Sequence, residues 1–367
     1  VERMTRNTHH FEIPAETGRT EVDREVIART LIGLMNNANV GGIVLLAVKS
    51  GAGSAYKNMC AERFEEEARK TGKPFRIVYL TNVGGSYNML GETLRLTREV
   101  LLEVSDFRRE NCPLSALTLG VKCGTSDATS GIAGNPCVGA AFDQLIRAGG
   151  TAFFSETTEI IGAEDLVAKR AVNESVAKKI LSAARHWEDK AKATGEDIRK
   201  INPIPANIAA GISSLEEKSL GAIAKSGTSP IQDVLKYAEM PKGSGLYFVD
   251  SWMSSLSLPL CLTACGATIM LYQMGGGKIA QHPMMPSINP TVVSPFLYLT
   301  GNAIAYSRAP DNFDFDASPI MTEGASIPEM GTKLLEHLSA IASGTMTKME
   351  TLNYAEQLEL YMEGPVL

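Results

Sequence analysis

The residues best suited to chemistry lie between positions 122 and 136. Lys122-Cys123-Gly124-Thr125-Ser126-Asp127 continues through Ser130-Gly131 to Asn135-Pro136, so an amine, a thiol, hydroxyls, a carboxylate and an amide share one Gly-broken stretch. It follows the mostly apolar run Leu114–Val121, which reads as a strand. A polar loop at a strand end is where α/β proteins tend to assemble sites. Gly124 and Gly131 allow close backbone approach, which lets polar atoms converge on one small ligand.

Other clusters carry chemistry with a plainer reading beside it. His9-His10 can bind metal or act as a base, or can be a pair of solvated loop histidines. In Ser155-Glu156-Thr157-Thr158-Glu159 two carboxylates end an expected strand, as metal ligands, bases or caps of the next helix. Lys218, in Glu216-Glu217-Lys218-Ser219, and Lys225, in Lys225-Ser226-Gly227-Thr228, are two helical turns apart and can share a face. Facing a substrate, they would hold its carboxylate; spacing alone favours ordinary surface lysines. Gly275-Gly276-Gly277 follows an expected strand, where amides could cradle an anion, as many tight turns could. Cys261 and Cys265 lack partners at zinc-finger spacing and read as small core hydrophobes.

The elements around these residues alternate. Apolar spacing predicts helices over 22–36, 61–71, 89–104, 138–148, most of 163–194, 215–224 and 327–342. Strands are expected at 41–48, 75–80, 114–121, 151–154, 246–249 and 267–273, several of them continuous apolar runs typical of parallel strands buried on both faces. A Pro-punctuated loop is expected at 283–295. This order predicts an α/β fold of two Rossmann-like parallel-sheet domains with crossover helices, residues 1–112 and 113–367. The chain has 367 residues and a net charge of −6, with no basic footprint for nucleic acid or an anionic membrane. No apolar run approaches the ~20 residues that span a bilayer. Six scattered cysteines fit a reducing cytoplasm better than a disulfide scaffold. The chain opens Val-Glu-Arg-Met, without an initiator Met or a signal peptide's layout, so its true start is expected to be missing.

Residues 122–136 resemble a signature of the altronate/galactarate dehydratase family. So do Phe154–Glu164 with Lys169-Arg170-Ala171, Asn202-Pro203 with Pro205 and Asn207, and Gly211 with Glu216–Gly221. Lys225–Thr228, Asp314-Phe315-Asp316 with Gly324, and Ile327–Gly331 continue the series, which covers most of residues 20–350. The resemblance implies a lyase. Sugar-acid members remove water from aldonates or aldarates, leaving a 2-keto-3-deoxy acid, and are associated with Fe(II). A close branch, the large subunit of sulfolactate sulfo-lyase, releases pyruvate and sulfite. Both reactions take a proton from C2 of a 2-hydroxy acid and expel a group from C3.

On that resemblance the expectation is a metal-dependent β-elimination by Fe(II) or another divalent metal. His9 or His10, Cys123 and Glu156 would be ligands. Lys218 and Lys225 would bind the substrate carboxylate; Ser126, Asn135 and Thr228 would be further polar contacts. Asp127 or Glu217 would be the general base. A separate small β-rich subunit and self-association are expected partners. The chain departs from the sugar-acid pattern at His9-His10-Phe11-Glu12-Ile13, at Val48-Lys49-Ser50-Gly51 and at Gln273–Gly277, losing two thiols and an arginine. These losses raise the sulfo-lyase alternative, and also a non-catalytic acid-binding member. A nucleotide-binding oxidoreductase is disfavoured, because no Gly-x-Gly-x-x-Gly follows a strand with an acidic residue some 20 positions on.

Overall fold

The computed structural model describes residues 1–5, 7–12, 19–48, 59–276, 288–352, 355–356 and 359–364. The helices of two turns or more are α1 (Glu21–Asn36), α2 (Ala61–Lys70), α3 (Ser86–Ser105), α4 (Asn135–Arg147), α5 (Glu174–Ala193), α6 (Leu215–Ile223), α7 (Ser257–Ala264) and α8 (Ile327–Ala342). The strands are β1 (Ile43–Ala47), β2 (Phe75–Tyr79), β3 (Thr118–Gly124), β4 (Thr151–Phe154), β5 (Ile231–Leu235), β6 (Gly245–Val249), β7 (Ile269–Met274), β8 (Phe296–Thr300) and β9 (Phe315–Asp316).

These strands form two parallel sheets, as an α/β fold requires. β1 and β2 pair in one, and the other has seven strands in the order β5-β6-β4-β3-β7-β8-β9. β4, β6, β7 and β8 are buried along their whole length, which explains their unbroken apolar sequences. Phe142 and Leu145 of α4, Ile180 of α5 and Leu334 and Leu338 of α8 cover one face of the large sheet. Leu258, Leu260 and Leu262 of α7 cover the other, where Val26 and Leu34 of α1 join them. Helix α1 thereby ties the small sheet to the large one. Gly33 lies so near α7 that a Cβ there would stand 2.2 Å from Ala264 O. Asn37 Nδ2 donates to Thr263 O and Ala267 O, each at 2.9 Å.

Strand order dictates where a site forms. From β3 the chain runs to β4 on one side, and after β6 it crosses back to β7 on the other. The carboxyl ends of β3 and β7 thus flank a topological switch point, where open parallel sheets leave a crevice for ligands.

Several expectations need correction. The third strand starts at Thr118, not Leu114, because Leu114–Ala116 forms a 3-10 turn, and it runs on through Gly124. Lys122 and Cys123 are therefore strand residues rather than loop residues. The expected helix over 163–194 breaks into Glu164–Ala168 and α5, and the run 256–264, given no element from the sequence, is helical. Strands β5, β8 and β9 were not foreseen. Residues 283–287 of the Pro-punctuated loop, Lys49-Ser50-Gly51, Ile13 and Gly277 lie outside the described residues. The six cysteines are free thiols, with Cys261 and Cys265 buried in the core as expected.

Helix α4 packs closely on the turn that carries Lys225. A Cβ on Gly139 would lie 2.2 Å from Ala224 O. Gly139→Ala should therefore cost about 1–3 kcal/mol of stability by forcing the two apart. Urea unfolding checks this, and an unchanged midpoint would contradict the packing described.

Candidate active site

Beneath the switch point lies a buried ion network. Lys122 and Cys123 come from β3, Glu156 follows β4, Glu159 sits in the helical turn Thr157–Ile160, and Lys225 in the 3-10 turn Ala224–Ser226. Lys122, Glu156, Glu159 and Lys225 are 0–4 % exposed. Glu156 Oε1 accepts from Lys122 Nζ at 2.7 Å, and Oε2 accepts from Lys225 Nζ and from the Cys123 N–H, the latter at 3.0 Å. Lys225 Nζ donates also to Glu159 Oε2 at 2.7 Å. Two ammonium groups and two carboxylates leave the buried network formally neutral, which is the condition for placing charges where water cannot reach them. Burial pushes the Glu156 carboxyl up, but the fields of Lys122 and Lys225 outweigh it and hold the carboxyl below its ordinary range. Burial pulls both lysines down, and the carboxylates outweigh that too, so each is held above its ordinary value.

Backbone geometry confirms that Glu156 is over-determined. Its φ of 73° and ψ of 62° place a non-glycine residue in the left-handed region. Such a conformation persists only where surrounding bonds demand it. Thr125, at φ 45°, turns the chain sharply out of β3 and aims Ser126 and Asp127 over the strand ends.

Asp127 then stitches the crevice together. Its Oδ1 accepts from Thr129 Oγ1 at 2.6 Å and the Ser130 N–H at 3.1 Å; its Oδ2 accepts from the Gly276 N–H after β7 and from Asn302 Nδ2, at 3.0 Å, after β8. The anion gathered by the glycine turn is thus a carboxylate of the protein itself. With both oxygens engaged by these donors, Asp127 clasps the loops after β3, β7 and β8 together. After it come a π-helical turn, Ser130–Gly134, and α4. Single π turns interrupt regular helix and often mark functional sites.

The π turn and α6 enclose a cavity of about 310 Å³, lined by Ser126, Asp127, Ser130, Asn135, Glu217 and Lys218 among others. The two walls meet at glycines: a Cβ on Gly131 would stand 3.0 Å from Gly221 Cα. Lys218 is 8 % exposed. Its Nζ donates to Asn202 Oδ1 at 2.6 Å, and no carboxylate among the described residues pairs with it. A buried lysine amine that lines a cavity without a carboxylate partner has the chemistry to receive an anion. Glu217, on the same helix and open to solvent, accepts from the Ser213 N–H at 2.7 Å and from Ser213 Oγ through Oε2. These bonds hold its carboxyl below the ordinary range and leave Oε1 without a partner among the described residues.

The structure therefore gathers Ser126, Asp127, Asn135, Glu217 and Lys218, but not the other expected contacts. Lys225 lies in the ion network below. Thr228 gives its N–H and Oγ1 to Asp143 at 2.8–2.9 Å. Arg170 braces the same loop through Ser226 and Ser229. Sequence reasoning placed Lys122, Glu159 and Asn202 in its motifs without including them in the expected ligand and contact set, and passed over Asp143. For Lys122 the signal was present, since an apolar strand that ends in a lysine needs a buried counter-ion.

The expected metal donors do not fit a metal site. His9 Nδ1 is 3.5 Å from Glu2 Oε1, and His10 also contacts Glu2. Both Glu156 oxygens are taken by ammonium groups. Burial pushes the Cys123 thiol up to about 11, so it is neutral at pH 7; it contacts Ser126 Oγ at 3.3 Å and Gln273 Oε1 at 3.6 Å. Among the described residues no three His, Cys, Asp or Glu side chains are grouped to hold a metal ion.

Comparison with known proteins follows the same outline. Residues 114–365 match the family model described as D-galactarate/altronate dehydratase, C-terminal, and residues 6–105 match D-galactarate dehydratase/altronate hydrolase, second domain. The chain is 31 % identical over 350 residues to the (2R)-sulfolactate sulfo-lyase subunit beta of Chromohalobacter salexigens, covering 94 % of this chain and 85 % of that protein. It is 34 % identical over 283 residues to the galactarate dehydratase (L-threo-forming) of Escherichia coli, covering 77 % and 52 %. With the altronate dehydratase of Bacillus subtilis it shares 30 % identity over 345 residues, covering 94 % and 65 %. The chain thus spans between half and two thirds of the length of these two dehydratases. No described helix is long and apolar enough to cross a membrane.

Removing the charge of Glu156 leaves two buried ammonium groups facing one carboxylate. Glu156→Gln should cost about 3–5 kcal/mol. In the intact protein, the lowered Glu156 value contributes stability that is fully present above its ordinary 4.5 and is lost as pH falls through the lowered value. The raised lysine values contribute stability that is present below 10.5 and is lost as pH climbs through them. Thermal melting against pH should show the acid limb in the wild type and lose the Glu156 share of it in Glu156→Gln.

Proposed function

The chain belongs to the D-galactarate/altronate dehydratase family, and from that premise we propose that it is a lyase performing β-elimination on a 2-hydroxy carboxylate, with dehydration of a sugar acid as the first reading. The observation that carries this is Lys218, a buried ammonium without a carboxylate partner, lining the cavity at the switch point.

Substrate binding and proton removal can each be assigned to a side chain. Lys218 takes the substrate carboxylate and stabilises the charge that spreads onto it as C2 loses its proton. Glu217 lines the cavity with one free carboxylate oxygen and takes that proton. The C3–O bond breaks, and the departing hydroxide leaves with the proton as water. What remains is an enol, which tautomerises to the 2-keto-3-deoxy acid. The Asp127 clasp and the ion network keep the cavity walls fixed while this happens.

A second reading is sulfolactate cleavage, with sulfite leaving from C3 in place of hydroxide. It is favoured by the 94 % and 85 % coverage shared with the sulfo-lyase subunit beta, whose name as a subunit also supports a separate partner chain here.

An anaerobic assay on altronate, galactarate and sulfolactate, with and without Fe(II), tests these readings. A 2-keto acid without sulfite supports dehydration, and pyruvate with stoichiometric sulfite supports the second reading. No product from any of the three overturns the lyase. Lys218→Met should lower kcat/KM by about 10–100-fold, the worth of a charge-assisted hydrogen bond.

A further inference from the structure

Two asparagines beside the cavity have one amide end committed and the other end orphaned. Asn135, 1 % exposed and lining the cavity, donates from Nδ2 to Gly221 O at 2.9 Å, while its Oδ1 has no donor. Asn202, 6 % exposed, accepts at Oδ1 from Lys218 Nζ at 2.6 Å, while its Nδ2 has no acceptor. Neither amide can flip without losing its existing bond, so Asn135 offers only an acceptor and Asn202 only a donor. Orphaned buried polar atoms are costly, and here one belongs to an amide that lines the cavity together with Lys218 and the other to the amide that holds Lys218 Nζ.

We infer that Asn135 and Asn202 are specificity-determining residues that make the cavity discriminate substrate from product. This rests on the reading of Lys218 as the carboxylate anchor. The carboxylate accepts from Lys218 Nζ and Asn202 Nδ2, and the hydroxyl on the adjacent carbon donates to Asn135 Oδ1. A 2-hydroxy acid satisfies all three groups. The enol formed by elimination keeps that hydroxyl and stays held. Tautomerisation moves the hydroxyl proton away and leaves a carbonyl, an acceptor facing an acceptor. The product therefore loses its grip at the moment the reaction is complete, and a plain carboxylate leaves Asn135 unsatisfied.

Isothermal titration calorimetry with lactate, propionate and pyruvate tests the code, because none of the three carries a leaving group at C3. Lactate should bind the intact chain about tenfold more tightly than propionate, the worth of one buried hydrogen bond, with pyruvate weaker still. In Asn135→Ala the three acids should converge to within about threefold, chiefly by loss of lactate affinity. Pyruvate binding as tightly as lactate to the wild type overturns the inference. So does an unchanged lactate-to-pyruvate ratio in a folded Asn135→Ala, and if that variant does not fold, the wild-type order decides alone. Lys218→Met separates this inference from the reading beneath it. Lactate binding that depends on Lys218 but shows no preference over pyruvate sinks the asparagine code and leaves the anchor standing. Lactate binding indifferent to Lys218, or no binding of any acid to the wild type, overturns both.

Discussion

One carboxylate organises this molecule. Glu156 sits at the end of a central strand in a left-handed conformation, with Lys122 on one oxygen and Lys225 on the other. Alone in a dry interior its charge would be prohibitively costly, and so would either ammonium. Together with Glu159 they reach neutrality, and in doing so fix three segments far apart in the chain. The end of β3, the turn after β4 and the turn after α6 are held in register by electrostatic necessity. Asp143 and Arg170 extend the constraint by bracing residues 226–229.

Above this network the crevice is closed by a second carboxylate with a different job. Asp127 binds backbone and side-chain donors from the loops after β3, β7 and β8. It holds together strand ends that diverge by topology. The π turn follows directly and swings Asn135 to the cavity wall. Scaffold and reactive surface are thus separate populations of polar residues: Glu156, Glu159, Asp127 and Asp143 are spent on the protein, whereas Lys218, Glu217 and Asn135 keep unmatched capacity.

Much of the architecture was legible in the residues. Continuous apolar runs such as Gly41–Val48 and Thr151–Phe154 announced parallel strands, and amphipathic spacing located α1, α6 and α8. What failed had physical causes. Ser257–Ala264 was given no element because it is buried along its whole length, and a helix wedged between a sheet and α1 shows no exposed polar face to set a period. The end of β3 was misplaced because Lys122 looked like the start of a loop, when its charge is cancelled by a residue 34 positions away. For the site, Ser126, Asp127, Asn135, Glu217 and Lys218, all named among the expected site residues, line one cavity. Lys225 and Thr228 were not separable from them, since helical spacing says which face a residue occupies but not what already neutralises it. The N-terminal histidines stand by Glu2 rather than in a ligand set with Cys123 and Glu156.

At Gly131 and Gly221 the cavity's two walls meet backbone to backbone, and Asn135 Nδ2 donates to Gly221 O across the same seam. On α6 the exposed Glu216 and Leu220 lie outside the ion network, which that helix joins only through Lys225 in the turn that follows it. A scaffold of that kind separates foldability from ligand preference, so a lineage can explore new acids without risking collapse. The relatives described above are named for galactarate, altronate and sulfolactate.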